Sequence, residues 1–278
     1  MRRRLSALLG LPVRSISEQT ASILRDVPID INAVITARTG LTPIGQYDPQ
    51  DVFIAGFPKS GNTWFQLITV ALMYGFNAEM VPDSVVQDLV PDMHFKSFYR
   101  RYATPTFFKT HNAPLPEYKK VIYLLRDGRD AVVSYYHHTR DLSRREVDFS
   151  KFVEEYNIFS LKWHEHVNLW MSNPYGAEML VIKYEDLKQN GLQALEQYCN
   201  FLNITRDKEH LETVLRATDF EKMRRREENL GWDDPNWPKD RPFIRRGVIG
   251  SYKDEFPKEA LENFMAQSGE TLKKHGYL

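Results

Sequence analysis

The sequence predicts an α/β fold, a single domain with a central, mainly parallel sheet flanked by helices. Three observations carry that expectation. Short apolar runs such as Val52-Phe53-Ile54-Ala55 and Val121-Ile122-Tyr123-Leu124-Leu125 lack the alternation of a half-exposed strand, so they suit a sheet covered on both faces. Longer helical stretches are interleaved with these runs along the chain. No repeat, low-complexity tract or Gly/Ser linker divides the 278 residues, a length that accommodates one large domain.

Taken in order, residues 1–46 read as an N-terminal leader packing on the domain, and 47–278 as the domain proper. The leader offers one or two short helices, with Leu5, Leu8, Leu9, Ile16 and Ile23 loosely spaced among polar residues. Arg2, Arg3 and Arg4 before an apolar run imitate a secretion signal, but Pro12 and Arg14 end that run after about seven residues and no small-residue cleavage site follows closely. Residues 52–55 are a strand, 56–61 a loop rich in small residues, and 63–74 a mostly apolar helix. Strands are expected over 106–111, 120–126 and 179–184, with a helix over 130–138 opened by the turn residues Asp127-Gly128. Further helices are expected over 150–171, 192–201, 209–217 and 258–274. Residues 229–243, with Gly231, Pro235, Pro238 and Pro242, form the longest loop, of a length often found in lids and binding loops.

Composition narrows the partners. Lys and Arg number 37 and Asp and Glu also 37, so the formal net charge is zero. A nucleic-acid or membrane-surface partner held by bulk positive charge is therefore not expected. No apolar run of about 18 residues occurs, so no integral membrane segment is expected either. Cys199 is the only cysteine, which excludes an intrachain disulfide and a cysteine-based zinc cluster and favours a reducing, cytoplasmic compartment.

The chemistry concentrates in three segments. Gly56-Phe57-Pro58-Lys59-Ser60-Gly61-Asn62-Thr63-Trp64 joins a buried strand to a helix, and the unpaired N–H groups at such a helix start hold phosphate-like anions. Ser60 and Gly61 let the backbone approach closely. The spacing is close to the nucleotide-triphosphate loop G-x-x-x-x-G-K-[ST], and the fold expectation is accordingly like that of the P-loop nucleotide hydrolases. One position departs: Asn62 follows the second glycine, and the lysine stands earlier, as Lys59. Second, Arg126 ends a strand and Ser134 lies in the next helix, a guanidinium and a hydroxyl suited to a second phosphate. Third, Arg245 and Arg246 precede Gly247 in RRGVIGSYK.

PKSGNTW resembles the 5′-phosphosulfate loop of the sulfotransferases that use 3′-phosphoadenosine 5′-phosphosulfate (PAPS), whose pattern is near PKSGTTW. YLLRDGRDAVVSYYHH resembles that family's 3′-phosphate motif, and RRGVIGSYK its RKGxxGxWK segment, with Arg246 for Lys and Tyr252 for Trp. The resemblance runs from about Asp51 to the C-terminus. It implies that Lys59, Ser60, Gly61, Asn62, Thr63 and Trp64 bind the donor's phosphosulfate end and adenine. It assigns the 3′-phosphate to Arg126, Ser134, Arg245, Arg246 and Gly247. Tyr184 in KYEDL, and Thr218 and Phe220 in ATDFEKM, are implied to contact or stack on the base.

The resemblance also implies the reaction. His111, in the pattern K-T-H at a strand end, stands where the family places its base, and an imidazole accepts a proton near neutrality. Lys59 would assist the leaving oxygen and Lys109 the sulfuryl group. The implied reaction is in-line displacement, with a hydroxyl of a small-molecule acceptor attacking sulfur and adenosine 3′,5′-bisphosphate departing. No metal is needed, and His164 and His166 around Glu165 do not form the i, i+4 pair of a helix-borne zinc site. His137 and His138 read as helix surface or pocket wall. Phe95, Phe98, Tyr99, Tyr102, Trp232 and Trp237 are candidates for an acceptor wall or for ordinary packing, while Arg144, Arg145 and Arg224–Arg226 offer charge to an anionic acceptor but have acidic neighbours.

Two other readings share part of this pattern. A glycan or glycolipid acceptor would use the same donor site. A P-loop small-molecule kinase would share the strand, loop and helix, but it requires a lysine where Asn62 stands. The family's C-terminal dimer signature is not evident after Lys253, and the oligomeric state is left open.

Overall fold

A computed structural model describes residues 30–157, 161–232, 234 and 236–278, and the chain divides into two compact units. The smaller holds, among the described residues, 30–46 and Ser97–Arg101. It consists of α1 (Ile31–Thr39) and a two-stranded antiparallel pair, β1 (Thr42–Pro43) with β3 (Phe98–Tyr99). Asp30 caps α1 by accepting from the N–H groups of Asn32 (2.9 Å) and Ala33 (3.2 Å). The leader positions Leu5, Leu8, Leu9, Ile16 and Ile23 and the apolar run before Pro12 lie outside the described residues.

The larger unit is built on four parallel strands, β2 (Val52–Gly56), β4 (Phe107–Thr110), β5 (Lys120–Leu125) and β6 (Glu178–Lys183), in the order β4-β2-β5-β6. β2 is buried at every position and β5 at every position but Lys120, which is why neither run alternates in sequence. Side chains two apart share a face. Val52, Ile54, Ile122 and Leu124 pack with Phe65, Ile68 and Leu72 of α2 (Asn62–Tyr74) in the main core. On the other face Phe53 stacks on Tyr118 at 4.1 Å, and Tyr123 meets Trp170 at 5.5 Å.

β2 lies between β4 and β5, so the chain returns first to one side of it and then to the other. The crevice outside the carboxyl ends of the strands, where the order reverses, is where open α/β sheets bind ligands. The residues following β2, β4, β5 and β6 emerge there: the 57–61 loop, His111, Arg126 and Tyr184. The other helices are α3 (Asp83–Leu89), α4 (Gly128–Ser143), α5 (Phe149–Glu155), α6 (Trp163–Met171), α7 (Tyr184–Gln189), α8 (Gly191–Phe201), α9 (Lys208–Ala217), α10 (Phe220–Leu230), α11 (Tyr252–Glu255) and α12 (Lys258–Lys274).

The fold corrects some expected elements. The single helix over 150–171 is instead α5 and α6, and Tyr156 between them is extended. A fresh start is encoded at Lys162, whose N–H donates to the Glu165 carboxylate at 2.6 Å, the acidic half of a capping box. Tyr184 opens α7 rather than ending a strand. α10 was not expected and takes the first two residues of the 229–243 loop. Its run of Arg and Glu buries only Met223 and Arg226, so it has no apolar stripe to read.

Candidate active site

The start of α2 sets the geometry of the first segment. Lys59 (φ 67°) and Gly61 (φ 96°) both adopt left-handed backbone, and Gly61 is the N-cap without a side-chain cap. Such a turn directs successive N–H groups into one concavity, and the first turn of α2 adds N–H groups that have no intrahelical partner. A Cβ on Gly61 would lie 2.9 Å from the Tyr184 ring, so the position requires glycine for space as well as for backbone angle. With its amide oriented to satisfy its neighbours, Asn62 donates to Phe57 O (3.2 Å) and accepts from Gly56 N–H (3.3 Å). Its side chain therefore braces the loop.

A cavity of about 480 Å³ opens here, lined by every residue singled out for the donor or for catalysis except Ser60. Ser60 is buried, and its Oγ has no partner. Arg126 is also buried. It donates Nη1 to Lys59 O at 2.9 Å and lies 4.3 Å over the Tyr184 ring, while its Nε has no partner. Buried polar atoms are normally paired, and an unpaired Arg126 Nε at a cavity that the loop also lines fits a bound anion. Burial, then the charges of Lys109, Arg126 and Arg245, lower the Lys59 ammonium to about 7. Its Nζ stands 4.0 Å over the Phe243 ring.

The structure separates the remaining groups by how they face this space. Trp64 donates Nε1 to Thr218 O at 2.7 Å and meets Tyr184 edge-on at 5.6 Å. The Thr218 hydroxyl turns back to Val214 O at 2.8 Å, and the residue is fully buried. A Cβ on Gly247 would come within 2.3 Å of the Phe220 ring, so that glycine lets the 245–250 turn lie against the ring. Arg245 and Arg246 line the cavity, and both donate to Glu255.

His111 is held from three directions. Its Nδ1 lies 2.7 Å from Gly56 O. A carbonyl only accepts, so Nδ1 carries the proton and Nε2 keeps its lone pair. Its N–H donates to His94 Nε2 at 2.9 Å, and its carbonyl lies 3.2 Å from His166 Nε2. The His94 and His111 rings stack at 5.4 Å. Burial, then the Lys109 charge, lowers His111 to about 3, so the imidazole is neutral at physiological pH. Lys109 donates to Asp92 (2.7 Å) and to Thr63 Oγ1 (3.1 Å).

Asp92, His94 and Asp130 escape the sequence reading. Residues 91–93 run beside β4, pairing at Lys109 through Lys109 N–H to Pro91 O (2.9 Å) and Met93 N–H to Lys109 O (3.0 Å). This brings Asp92 and His94 to the K-T-H segment, and no local pattern announces that pairing. Asp130 accepts from Gly250 N–H (2.7 Å) and Tyr252 N–H (2.9 Å), tying the third segment to α4.

A wall of rings completes the cavity. Trp232 stacks on Phe243 at 3.8 Å, and His138 stacks on Trp237 at 5.0 Å. Of the aromatic candidates for an acceptor wall, Phe95 and Trp232 line the cavity and Trp237 stands behind His138, while Tyr102 does not line it. Phe98 and Tyr99 belong to the smaller unit. Arg226 is not available to an acceptor, being buried and paired with Asp83 at 2.5 Å. Among the described residues no helix is long and apolar enough to cross a membrane, and no His, Cys, Asp and Glu group is placed to hold a metal.

Known proteins share this fold. The sulfotransferase-domain family matches residues 49–276, and the chain belongs to that family. It is 29% identical over 260 residues to mouse sulfotransferase 1B1, covering 82% of this chain and 86% of that protein. It is 25% identical to human sulfotransferase 2A1, covering 77% and 81%. Among solved structures, a retinol dehydratase in complex with androsterone and the inactive cofactor PAP superposes with a TM-score of 0.65, at 22% identity over 82% of each chain. A mouse sulfotransferase complexed with PAP gives 0.60, at 20% identity over 84% and 90%. Family membership removes the kinase alternative.

Proposed function

We propose that this sulfotransferase moves a sulfuryl group from PAPS to a hydroxyl of a small-molecule acceptor, with His111 as the base. The observation that carries the reading is the meeting of Lys59, Lys109, Arg126 and Arg245 at one cavity beside the 57–61 loop, where Arg126 Nε has no partner. When bound, PAPS supplies a sulfuryl group already attached to a good leaving oxygen. The residues that would hold its phosphosulfate end are Lys59 and the 60–64 turn. Arg126, Ser134, Arg245, Arg246 and Gly247 would hold the 3′-phosphate, with Trp64, Tyr184, Thr218 and Phe220 around the base.

His111 performs the proton step. Gly56 O fixes its tautomer, so Nε2 receives the acceptor's hydroxyl proton as the acceptor oxygen bonds to sulfur and the bond to the bridging oxygen breaks. Lys109, held by Asp92, places one positive charge beside this histidine. That charge depresses the histidine's basicity in the free protein, and an anionic donor beside Lys109 offsets it. Lys59 is the cation placed for the departing oxygen. The setting we infer is reducing and cytoplasmic, in keeping with Cys199, a buried free thiol.

His111→Ala tests the assignment. Transfer from labelled donor should fall about a thousandfold, within the range of general-base effects, while adenosine 3′,5′-bisphosphate binding survives. Transfer continuing at the wild-type rate would overturn the base assignment.

A further inference from the structure

One carboxylate behind the cavity holds both arginines of the third segment. Glu255, at the end of α11, accepts from Arg245 Nη1 at 2.5 Å and from Arg246 Nη1 at 2.9 Å, one on each oxygen. His137 Nε2 lies 2.7 Å from the oxygen that Arg245 uses. Arg246 has a second, looser carboxylate in Asp254 at 3.9 Å. Arg245 and Arg246 line the cavity, whereas Glu255 and His137 do not. The two arginines thus meet both the carboxylate and the cavity an anion would enter.

Each arginine gives Glu255 an Nη1 donor, and a guanidinium has five N–H groups in a rigid fork, so donors remain for a ligand. The backbone of the same segment is fixed separately. Glu227 on α10 accepts from the N–H groups of Phe243 (2.5 Å) and Ile244 (2.9 Å). With its backbone pinned at one end and its guanidinium tips at the other, the Arg245-Arg246 pair has already lost the rotamer freedom that ligand binding would otherwise have to remove. A carboxylate competing with the ligand would itself line the cavity. Glu255 is placed to orient.

We propose that Glu255 is a positioning residue for the 3′-phosphate: by holding Arg245 and Arg246 it sets the preference for adenosine 3′,5′-bisphosphate over adenosine 5′-monophosphate. This rests on the PAPS reading above, because it concerns the phosphate that distinguishes those two nucleotides.

The test is titration calorimetry of both nucleotides against the wild type, Glu255→Gln and Glu255→Asp. Glu255→Gln should weaken bisphosphate binding about tenfold, the scale of one charge-assisted hydrogen bond, and leave monophosphate binding within about twofold. In turnover the loss should fall on the KM for the donor. Glu255→Asp keeps the charge but has a shorter reach, and should fall between wild type and Glu255→Gln. Equal loss on both nucleotides would reduce Glu255 to a structural role, and unchanged or tighter bisphosphate binding would equally overturn the proposal. An unchanged selectivity ratio in Glu255→Asp overturns it too, should the Gln variant fold poorly. A wild type that does not distinguish the two nucleotides overturns the PAPS reading instead.

Discussion

On one side of the cavity Lys59, Gly61, Arg126 and the first turn of α2 present charge and hydrogen-bonding groups fixed by backbone. On the other, Phe95, His138, Trp232 and Phe243 present ring faces. The charged side is carried by the ends of parallel strands and the residues directly after them, so its groups are held by the most buried part of the fold. The ring side comes from α4 and from loops, and its contacts are chiefly ring on ring. Hydrogen bonds demand fixed distances and directions, whereas stacked rings tolerate sliding. Under the proposed function, the difference makes one side a rigid site for the donor and the other an adaptable wall for the acceptor. Phe243 belongs to both, since the Lys59 ammonium lies over its face.

The largest effect that separates the two sides is expected from Arg126→Ala. It should weaken adenosine 3′,5′-bisphosphate binding about a hundredfold, as loss of a buried charge-assisted contact implies, with a much smaller effect on adenosine 5′-monophosphate by calorimetry. Equal loss on both nucleotides would break the assignment of Arg126 to the 3′-phosphate. Lys59 provides the next test. Its ammonium is present below about 7 and lost as the pH rises through that value, so anion binding by the free protein should be tighter on the acid side. A bound anion raises the lysine's pKa, so the fall in affinity should become visible above neutrality. Between about pH 7 and 9 the bisphosphate Kd should rise several-fold, the worth of one partly exposed charge, and Lys59→Arg should flatten that slope. The smallest effect is expected from Trp232→Ala. It should raise the KM of an acceptor by roughly three- to tenfold, the scale of one aromatic contact, and leave bisphosphate binding within about twofold. Donor affinity falling as far as acceptor affinity would mean that the two sides are one mechanical unit joined through Phe243.

Much of the charged side was legible because its residues are local. Lys59, Ser60, Gly61 and Thr63 lie in one strand-to-helix turn, and the spacing of Arg126 and Ser134 is set by one strand end and one helix. Asn62 was legible as part of that turn, but not as the brace that the fold makes of its side chain. Asp92 and His94 were not legible. They meet Lys109 and His111 through the pairing of residues 91–93 with β4, across a separation of 17 positions, and nothing in the 91–94 segment marks its partner. α10 was missed because a helix that buries only Met223 and Arg226 carries no apolar period, and the break between α5 and α6 because a capping box is a subtler signal than a run of helix formers.

The sequence by itself determined the parallel sheet, the glycine-bearing strand-to-helix turn and the K-T-H strand end. Buried strands and tight turns restrict which residues can stand at each position, so they leave a pattern within a few neighbours. Only the tertiary structure decided that Gly56 O fixes the His111 tautomer, that Asp92 holds the Lys109 ammonium, and that Glu255 accepts from both Arg245 and Arg246. In each of these pairs the partners come from different elements, and the spacing along the chain contains no information about the distance through space until the sheet and helices have closed.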